Sequence, residues 1–217
     1  MSSENTCNAQ AWLKALSEKG WKCSPKDENE AYEVQRNVIE VAKSVWGEVI
    51  GMKIGLTSEE SRAKFGGGPI FGPIFEKGVL GNGSSINLSK LSDPILEPEI
   101  FYCNGSYFIS FEVPDNRYGK KWDELNYLEI IADIAGSYRV VVGDELQSFE
   151  GEVVLEGPNL LLKGKINSDK LRRNEELLKS KAPDGCLLLG TILPIVKVSE
   201  GHYSLECCGS KVEIDFI

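Results

Sequence analysis

Three glutamates stand at spacings that a β-hairpin would bring together, namely Glu97, Glu99 and Glu112. The dipeptide Asn104-Gly105 lies between the second and the third, and Asn-Gly flanked by aromatic and β-branched residues is the strongest short-range signal for a two-residue hairpin turn. With this dipeptide at the centre of the turn, Glu97 pairs with Glu112. Side chains alternate between the two faces of a strand, so all three carboxylates are expected on one face.

A cluster of three like charges on a strand pair needs a stabilising partner. Carboxylates directly opposite each other on a ladder are destabilising, and burial increases that cost. A hard divalent cation removes the repulsion and takes oxygen ligands, so Mg²⁺ fits this donor set and Mn²⁺ fits nearly as well. The alternative is a hairpin whose polar side faces solvent and keeps its glutamates hydrated. Pro98 cannot donate to a ladder and predicts an edge strand or a bulge.

Five short segments follow one another in the order of a known family. They are A-Y-E-V-Q at 31–35, G-M-K-I-G-L-T-S at 51–58, E-P-E-I at 97–100, E-V-P-D-N-R-Y at 112–118 and G-T-I-L-P at 190–194. In this order they resemble segments of the 2-oxopent-4-enoate hydratase and 4-oxalocrotonate decarboxylase family, within the fumarylacetoacetate hydrolase-like superfamily. No single segment is specific, but the five together are.

The resemblance implies roles for individual residues. A divalent cation would be held by Glu97, Glu99 and Glu112 and would chelate the carboxylate and the 2-oxo oxygen of a 2-oxo acid. Such a cation stabilises the negative charge that develops on the 2-oxo oxygen during proton transfer or C–C bond chemistry. Lys53 would act as a proton shuttle or as an anchor for the carboxylate. Contacts to the substrate are expected from Thr191, Phe71 and Gly72.

The activity that the resemblance favours is a lyase reaction on a 2-oxo acid or its dienol, foremost hydration of 2-hydroxypenta-2,4-dienoate. Decarboxylation of a 2-oxo-enedioate and hydrolysis of an acylpyruvate are the alternatives within the superfamily. Hydrolases of the fumarylacetoacetate type activate water through a histidine. The single histidine, His202, lies in the C-terminal strand region, which argues against that chemistry. The resemblance also implies a homo-oligomer.

Three apolar residues replace polar residues of the family patterns, namely Ile70, Ile134 and Leu193. Ile70 stands where the family has an aspartate, so an acidic partner for Lys53 is missing. These changes predict a drier pocket and weaker proton-transfer machinery around a retained metal site. A further hypothesis follows, in which the chain is a non-catalytic relative that binds a metal ion and an organic acid.

The elements that must position these residues are helices first and strands afterwards. Apolar residues at steps of three and four predict two helices, the second of which begins at Ser24-Pro25 and ends near Gly47. Beyond it, Gly and Pro punctuate short apolar runs, which is typical of strands. We therefore predict an α+β fold in a single domain, with a helical segment over 1–50. A strand-rich mixed β body of the fumarylacetoacetate hydrolase C-terminal-domain type is expected over 51–217.

Composition excludes several classes of partner. The 217 residues carry a net charge of −9, which is unsuited to the phosphate backbone of nucleic acids. No stretch approaches the roughly 20 consecutive apolar residues of a membrane span. The N-terminus up to Asn8 is polar and lacks the apolar core of a signal peptide, which predicts a cytoplasmic protein. None of the six cysteines belongs to a Cys-x-x-Cys pair, so free buried thiols are expected.

Overall fold

The computed structural model describes residues 7–217. The polar N-terminal segment, which predicts the absence of a signal peptide, lies mostly outside the described residues, and the cytoplasmic location stays a prediction. The described helices are α1 (Ala9–Glu18), α2 (Glu28–Trp46), α3 (Glu59–Phe65), α4 (Tyr127–Ala132) and α5 (Ser168–Lys179). None of these helices combines the length and the apolar character that crossing a membrane requires.

The strands form two sheets. They are β1 (Val49–Gly55), β2 (Ile70–Phe75), β3 (Val79–Gly81), β4 (Ser84–Ile86), β5 (Ile95–Cys103), β6 (Ser106–Val113), β7 (Arg139–Glu145), β8 (Glu152–Gly157), β9 (Leu160–Lys165), β10 (Cys186–Thr191), β11 (Val196–Lys197), β12 (Gly201–Cys207) and β13 (Ser210–Phe216). The larger sheet has the order β2-β1-β10-β5-β6-β7-β3, with β11 also paired to β5, and the smaller sheet has the order β4-β13-β12-β8-β9. Both parallel and antiparallel pairs occur. Helices followed by a mixed, strand-rich body confirm the predicted α+β fold, while the division of the chain at residue 50 stays a prediction.

One face of the larger sheet packs against the smaller sheet. Alternate residues of β5 and β6, including Ile100, Ile109 and Phe111, are buried in one cluster with Leu155 and Leu205 of the smaller sheet. The two sheets therefore enclose the main hydrophobic core between them. This packing directs the intervening residues of β5 and β6 to the opposite face.

The opposite face of the larger sheet carries both apolar and acidic side chains. Phe101, Val140 and Leu188 belong to a small buried cluster on this face. Glu99 lies two residues before Phe101 on β5, so alternation along the strand places its carboxylate on the same face. The glutamates thus lie beside an apolar cluster, in surroundings where charges interact strongly.

Helices α1, α2 and α4 form a second core together with β2. Trp12 of α1 and Trp46 of α2 are buried in it, with ring centroids 5.5 Å apart. Asp27 caps α2, because its side chain accepts a hydrogen bond from a backbone N–H of the first turn. The start predicted at Ser24-Pro25 is therefore wrong. The helix begins after Asp27 because the carboxylate of Asp27, rather than the hydroxyl of Ser24, accepts the hydrogen bond from the first turn. The end predicted near Gly47 is confirmed.

Four cysteines form disulfides, which corrects the expectation of free thiols. Cys7 is bonded to Cys23 and Cys103 to Cys186, with Cα atoms 4.3 Å and 4.4 Å apart. Cys103 and Cys186 are 83 residues apart in sequence, but they stand at the ends of the neighbouring strands β5 and β10. Sequence spacing can indicate only those cysteine pairs that are close along the chain. The pair Cys103–Cys186 forms because the fold places β5 and β10 side by side.

A buried arginine ties the loop after β6 to α4 and α1. The guanidinium of Arg117 pairs with the carboxylate of Asp133 at 2.6 Å and donates to the backbone carbonyl oxygens of Asp115 and Ser137. The indole N–H of Trp12 donates to the same Asp133 carboxylate at 2.6 Å. Arg117 and Asp133 are each 1% exposed. Their partners therefore replace the hydration that burial removes.

Removal of the Arg117 guanidinium from this network should destabilise the fold. We expect Arg117→Met to lower the free energy of unfolding by about 3–5 kcal/mol, because the Asp133 carboxylate is left buried and unpaired. Urea unfolding followed by tryptophan fluorescence measures the change. The control Lys163→Met removes the exposed partner of Glu152 and should change this free energy by less than about 0.5 kcal/mol. Equal stability of the Arg117→Met variant and the wild type would contradict the role of the pair.

Candidate metal centre

The hairpin of β5 and β6 brings the three glutamates together. Asn104 and Gly105 form its turn with φ angles of 53° and 87°, in the left-handed region that these two residue types tolerate. Glu97 pairs with Glu112 across the ladder, which confirms the predicted register. One carboxylate oxygen from each of Glu97, Glu99 and Glu112 lies within 4.8 Å of the other two. Their role as metal ligands stays a prediction.

A β-bulge in β10 provides a hydrogen bond to Glu99. The pairing of β10 with β5 shifts before Thr191, which lies opposite Glu99. Gly190 adopts a φ of 93° in this irregular stretch, and its N–H donates to the Glu99 carboxylate at 3.0 Å. β5 is an interior strand, so Pro98 does not mark an edge. The irregularity that Pro98 predicts lies in the partner strand instead.

Burial and mutual repulsion oppose the ionisation of these glutamates. Glu99 and Glu112 are buried, and Glu97 is half-buried. Burial, followed by the charge of Glu112, raises the pKa of Glu97 to about 7, although Lys53 partly offsets the effect. Burial and both neighbouring carboxylates raise the pKa of Glu99 well above its usual value, and burial raises the pKa of Glu112. The cluster therefore favours either a proton or another cation.

The donor set fits a hard divalent cation. Three carboxylate oxygens on one face of the sheet are the ligands that Mg²⁺ and Mn²⁺ prefer. Ser110 lies opposite Glu99 on β6 and shares this face. Its hydroxyl is buried and bonds to no partner in the described part of the chain. Because buried hydroxyls are almost always paired, this one indicates that the site receives a further polar group.

Lys53 extends from β1 to the third glutamate. It is 5% exposed, and its ammonium group donates to the carboxylate of Glu112. Lys53, Glu112 and Ser137 border a cavity of about 10 Å³, and the hydroxyl of Ser137 also lacks a partner among residues 7–217. Such a volume holds about one water molecule. Lys53 does not line the larger cavity described below, and its catalytic role stays a prediction.

A larger cavity of about 540 Å³ opens beside Glu97 and Glu99. Apolar residues form much of its wall, including Ile54, Ile70, Ile95, Trp122 and Leu193. Thr191 lines it as well, as the sequence predicts for a substrate contact, and so does Lys170 of α5. The Lys170 ammonium donates to the backbone carbonyl oxygen of Thr191 at 2.9 Å and lies 3.4 Å from its hydroxyl. The sequence patterns give no signal for Lys170, because α5 reaches the site through the fold alone.

The other residues predicted to contact substrate lie outside this cavity. Phe71 and Gly72 are on β2 and do not line it. Gly72 packs so closely against the loop after α4 that a Cβ atom there would lie 2.5 Å from the carbonyl oxygen of Ile134. Substrate contacts by Phe71 and Gly72 stay predictions without geometric support. Of the three apolar replacements, Ile70 and Leu193 line the cavity, whereas Ile134 is buried in the helical core.

Comparison with solved structures identifies the fold of the chain that carries this site. A structure of 4-oxalocrotonate decarboxylase from Pseudomonas putida G7, complexed with magnesium and adipate, matches with a TM-score of 0.80 and 21% sequence identity. The match covers 100% of this chain and 99% of that chain. The chain has the fold of 4-oxalocrotonate decarboxylase. The resemblance predicted from the five sequence segments is thus confirmed at the level of the fold.

Two more distant structures share the fold over about three quarters of this chain. The 5-carboxymethyl-2-hydroxymuconate delta-isomerase from Mycobacterium smegmatis matches with a TM-score of 0.55 and 12% identity, over 78% of each chain. A fumarylacetoacetate hydrolase family protein from Yersinia pestis CO92 matches with a TM-score of 0.52 and 11% identity, over 76% of this chain and 91% of that chain. These matches show a likeness of fold to a fumarylacetoacetate hydrolase family protein and to an isomerase. No protein-family model and no curated protein matches the sequence.

Replacement of Glu99 by glutamine should abolish tight Mg²⁺ binding while the fold persists. The neutral amide removes a charged ligand, but it also relieves the repulsion among buried carboxylates. We expect metal-free Glu99→Gln to melt at the temperature of the metal-free wild type or above it, and isothermal titration calorimetry to show the loss of Mg²⁺ binding. Glu206→Gln, at an exposed position of β12, is the matched control. Unchanged Mg²⁺ affinity in Glu99→Gln would remove Glu99 from the ligand set.

The metal-free protein should lose stability as pH rises through neutrality. Folding raises the pKa of Glu97 from 4.5 to about 7, so this group stabilises the fold fully below its unfolded pKa and ceases to do so above about 7. A bound divalent cation would replace the protons on these carboxylates and stabilise the folded state in their place. Mg²⁺ should therefore raise the melting temperature more at about pH 8 than at about pH 6. Calorimetric scans with and without Mg²⁺ at the two pH values measure this difference. A Mg²⁺-induced increase in melting temperature that becomes smaller at higher pH would contradict the prediction.

Proposed function

We propose that the protein is a divalent-metal-dependent lyase that acts on a 2-oxo acid. The observation that carries this proposal is the cluster of Glu97, Glu99 and Glu112 beside a cavity of about 540 Å³, large enough for a small organic acid. The full-length match to a decarboxylase complexed with magnesium and adipate supports the same reading, since adipate is a dicarboxylate. Assembly into a homo-oligomer, which the sequence resemblance implies, is part of the proposal.

Each part of the site has a role in this chemistry. Glu97, Glu99 and Glu112 would hold the cation, which supplies a Lewis acid that polarises the 2-oxo group of the substrate. Lys53 lies against Glu112 and can hold or release a proton at its Nζ atom. The apolar residues of the cavity wall lower the local polarity and so strengthen nearby charge interactions.

Decarboxylation of a 2-oxo-enedioate is the reaction that the cavity favours. In 2-oxohex-3-enedioate the bond to the distal carboxylate breaks and CO₂ leaves. The electron pair moves through the conjugated chain to the 2-oxo oxygen, and one proton completes 2-hydroxypenta-2,4-dienoate. No activated water is needed. The apolar residues Ile70 and Leu193 in the wall favour a reaction in which a carboxylate departs as a neutral molecule.

Hydration of 2-hydroxypenta-2,4-dienoate, the reaction that the sequence resemblance favours, is the second candidate. It uses the same metal ligands but also needs a water molecule and a group that exchanges protons. The cavity of about 10 Å³ beside Lys53 and Glu112 supports this candidate, because it has room for about one water molecule next to a lysine.

Assays of the purified protein with Mg²⁺ or Mn²⁺ separate these reactions. We expect release of CO₂ from 2-oxohex-3-enedioate, with the dienoate as first product. Consumption of added 2-hydroxypenta-2,4-dienoate would instead favour hydration, and turnover of an acylpyruvate would favour hydrolysis. If all three compounds are inert while oxalate still binds with Mg²⁺, the chain is a non-catalytic relative.

Two substitutions of Lys53 distinguish a proton shuttle from a carboxylate anchor. Lys53→Met should retain Mg²⁺ binding, because the cation itself compensates the Glu112 carboxylate, and should lower turnover by about a hundredfold or more. Lys53→Arg keeps the charge but cannot release its proton, so it should be as impaired as Lys53→Met if the lysine transfers protons. Steady-state kinetics and deuterium incorporation into the product measure both effects. Full turnover by Lys53→Arg would assign Lys53 to anchoring, and full turnover by Lys53→Met would exclude both roles.

A further inference from the structure

Lys170 carries a positive charge at the part of the cavity wall where Glu97 and Glu99 lie. The proposed metal site does not account for its presence there. It lies in the first turn of α5, three residues after the capping Asn167. A cation is disfavoured at this end of a helix, which carries a partial positive charge. The ammonium group instead reaches β10, where it donates to Thr191, within range of the charges of Glu99 and Glu97. Burial lowers the pKa of Lys170, and the charges of Glu99 and Glu97 offset that effect only in part.

The other lysines of the cavity wall are less suited to hold a ligand beside the glutamates. Lys64 is exposed on α3. Lys197 has a side chain that is 76% exposed and lies 3.6 Å from the carboxylate of Asp93. Lys170 is half-buried, and its polar contacts within residues 7–217 are with Thr191. An ammonium group has three N–H donors, so donor capacity remains for a ligand in the cavity.

The charges at the site match one carboxylate. Three glutamates, one divalent cation and the ammonium groups of Lys53 and Lys170 leave a single net positive charge. The carboxylate next to the 2-oxo group of a substrate would neutralise it. Without Lys170, the same carboxylate would add an excess negative charge in surroundings of low polarity, which is unfavourable.

We propose that Lys170 is a substrate-binding residue whose ammonium group receives the carboxylate adjacent to the 2-oxo group. This inference rests on the proposed function and adds the residue that selects acids over neutral ketones and esters. Thr191 has a positioning role, since its carbonyl oxygen holds the ammonium group at the cavity wall. The contact sets substrate class by charge, at the part of the cavity wall that lies next to Glu97 and Glu99.

Calorimetric titration with oxalate tests this role without reference to turnover. Oxalate presents a carboxylate beside a second pair of oxygens and so stands in for the reacting end of a 2-oxo acid. In saturating Mg²⁺, Lys170→Met should weaken oxalate binding by about ten- to a hundredfold, and Lys170→Arg, which keeps the charge, by less than about tenfold. Binding of Mg²⁺ alone should be unchanged or tighter in Lys170→Met, because a repelling charge is removed.

Weaker oxalate binding without weaker Mg²⁺ binding distinguishes this role from a structural one, since a damaged site would weaken the binding of both. Lys163→Met, at an exposed position of β9, is the control and should bind oxalate as the wild type does. Equal oxalate affinity in Lys170→Met and the wild type overturns the inference, and so does a parallel loss of Mg²⁺ and oxalate binding. If Lys170→Met melts early, Lys170→Gln provides the same comparison with a polar side chain. Failure of the wild type to bind oxalate with Mg²⁺ counts against the proposed function itself.

Discussion

The repulsion among three carboxylates in surroundings of low polarity is the constraint on which this site depends. The hairpin of β5 and β6 fixes their backbone positions, so the side chains cannot separate by more than their own flexibility allows. Two ammonium groups, from Lys53 on β1 and Lys170 on α5, offset part of the charge. Burial, followed by the charge of Glu112, nevertheless raises the pKa of Glu97 to about 7. In the proposed function a divalent cation would complete the balance, and the neighbouring elements would hold the carboxylates in place for it.

The main core determines which side chains face the site. Ile100, Ile109 and Phe111 are buried between the two sheets, so a register shift of one residue would move them to the opposite face and turn the glutamates into the core. The apolar packing on one face thus fixes the acidic cluster on the other. The same alternation explains why Ser110 shares the face of Glu99 and Glu112 without a partner of its own.

Local chemistry made the hairpin predictable from the sequence, and long-range topology made the rest of the site unpredictable. The turn at Asn104-Gly105 determines the pairing of Glu97 with Glu112 without reference to any other strand. The contact of Lys170 with Thr191 arises only after α5 packs beside β10. The disulfide between Cys103 and Cys186 arises in the same way, because β10 enters the sheet next to β5. The end of α2 at Gly47 was predictable from the glycine, whereas its start was not, because Ser24 and Asp27 both offer a capping side chain.

The replacement of polar by apolar residues around an intact acidic cluster bears on which reaction the fold supports. A polarising cation and its ligands suffice for reactions in which electrons flow toward the 2-oxo oxygen, whereas addition of water also needs polar groups that position and deprotonate it. Ile70 and Leu193 lie in the cavity wall, where such groups would act. In the proposed function the acidic cluster would thus be kept, while these two positions of the wall offer no polar group to a water molecule. Within the proposed function this favours loss of CO₂, since contact with apolar side chains disfavours the charged carboxylate and leaves the neutral product unaffected.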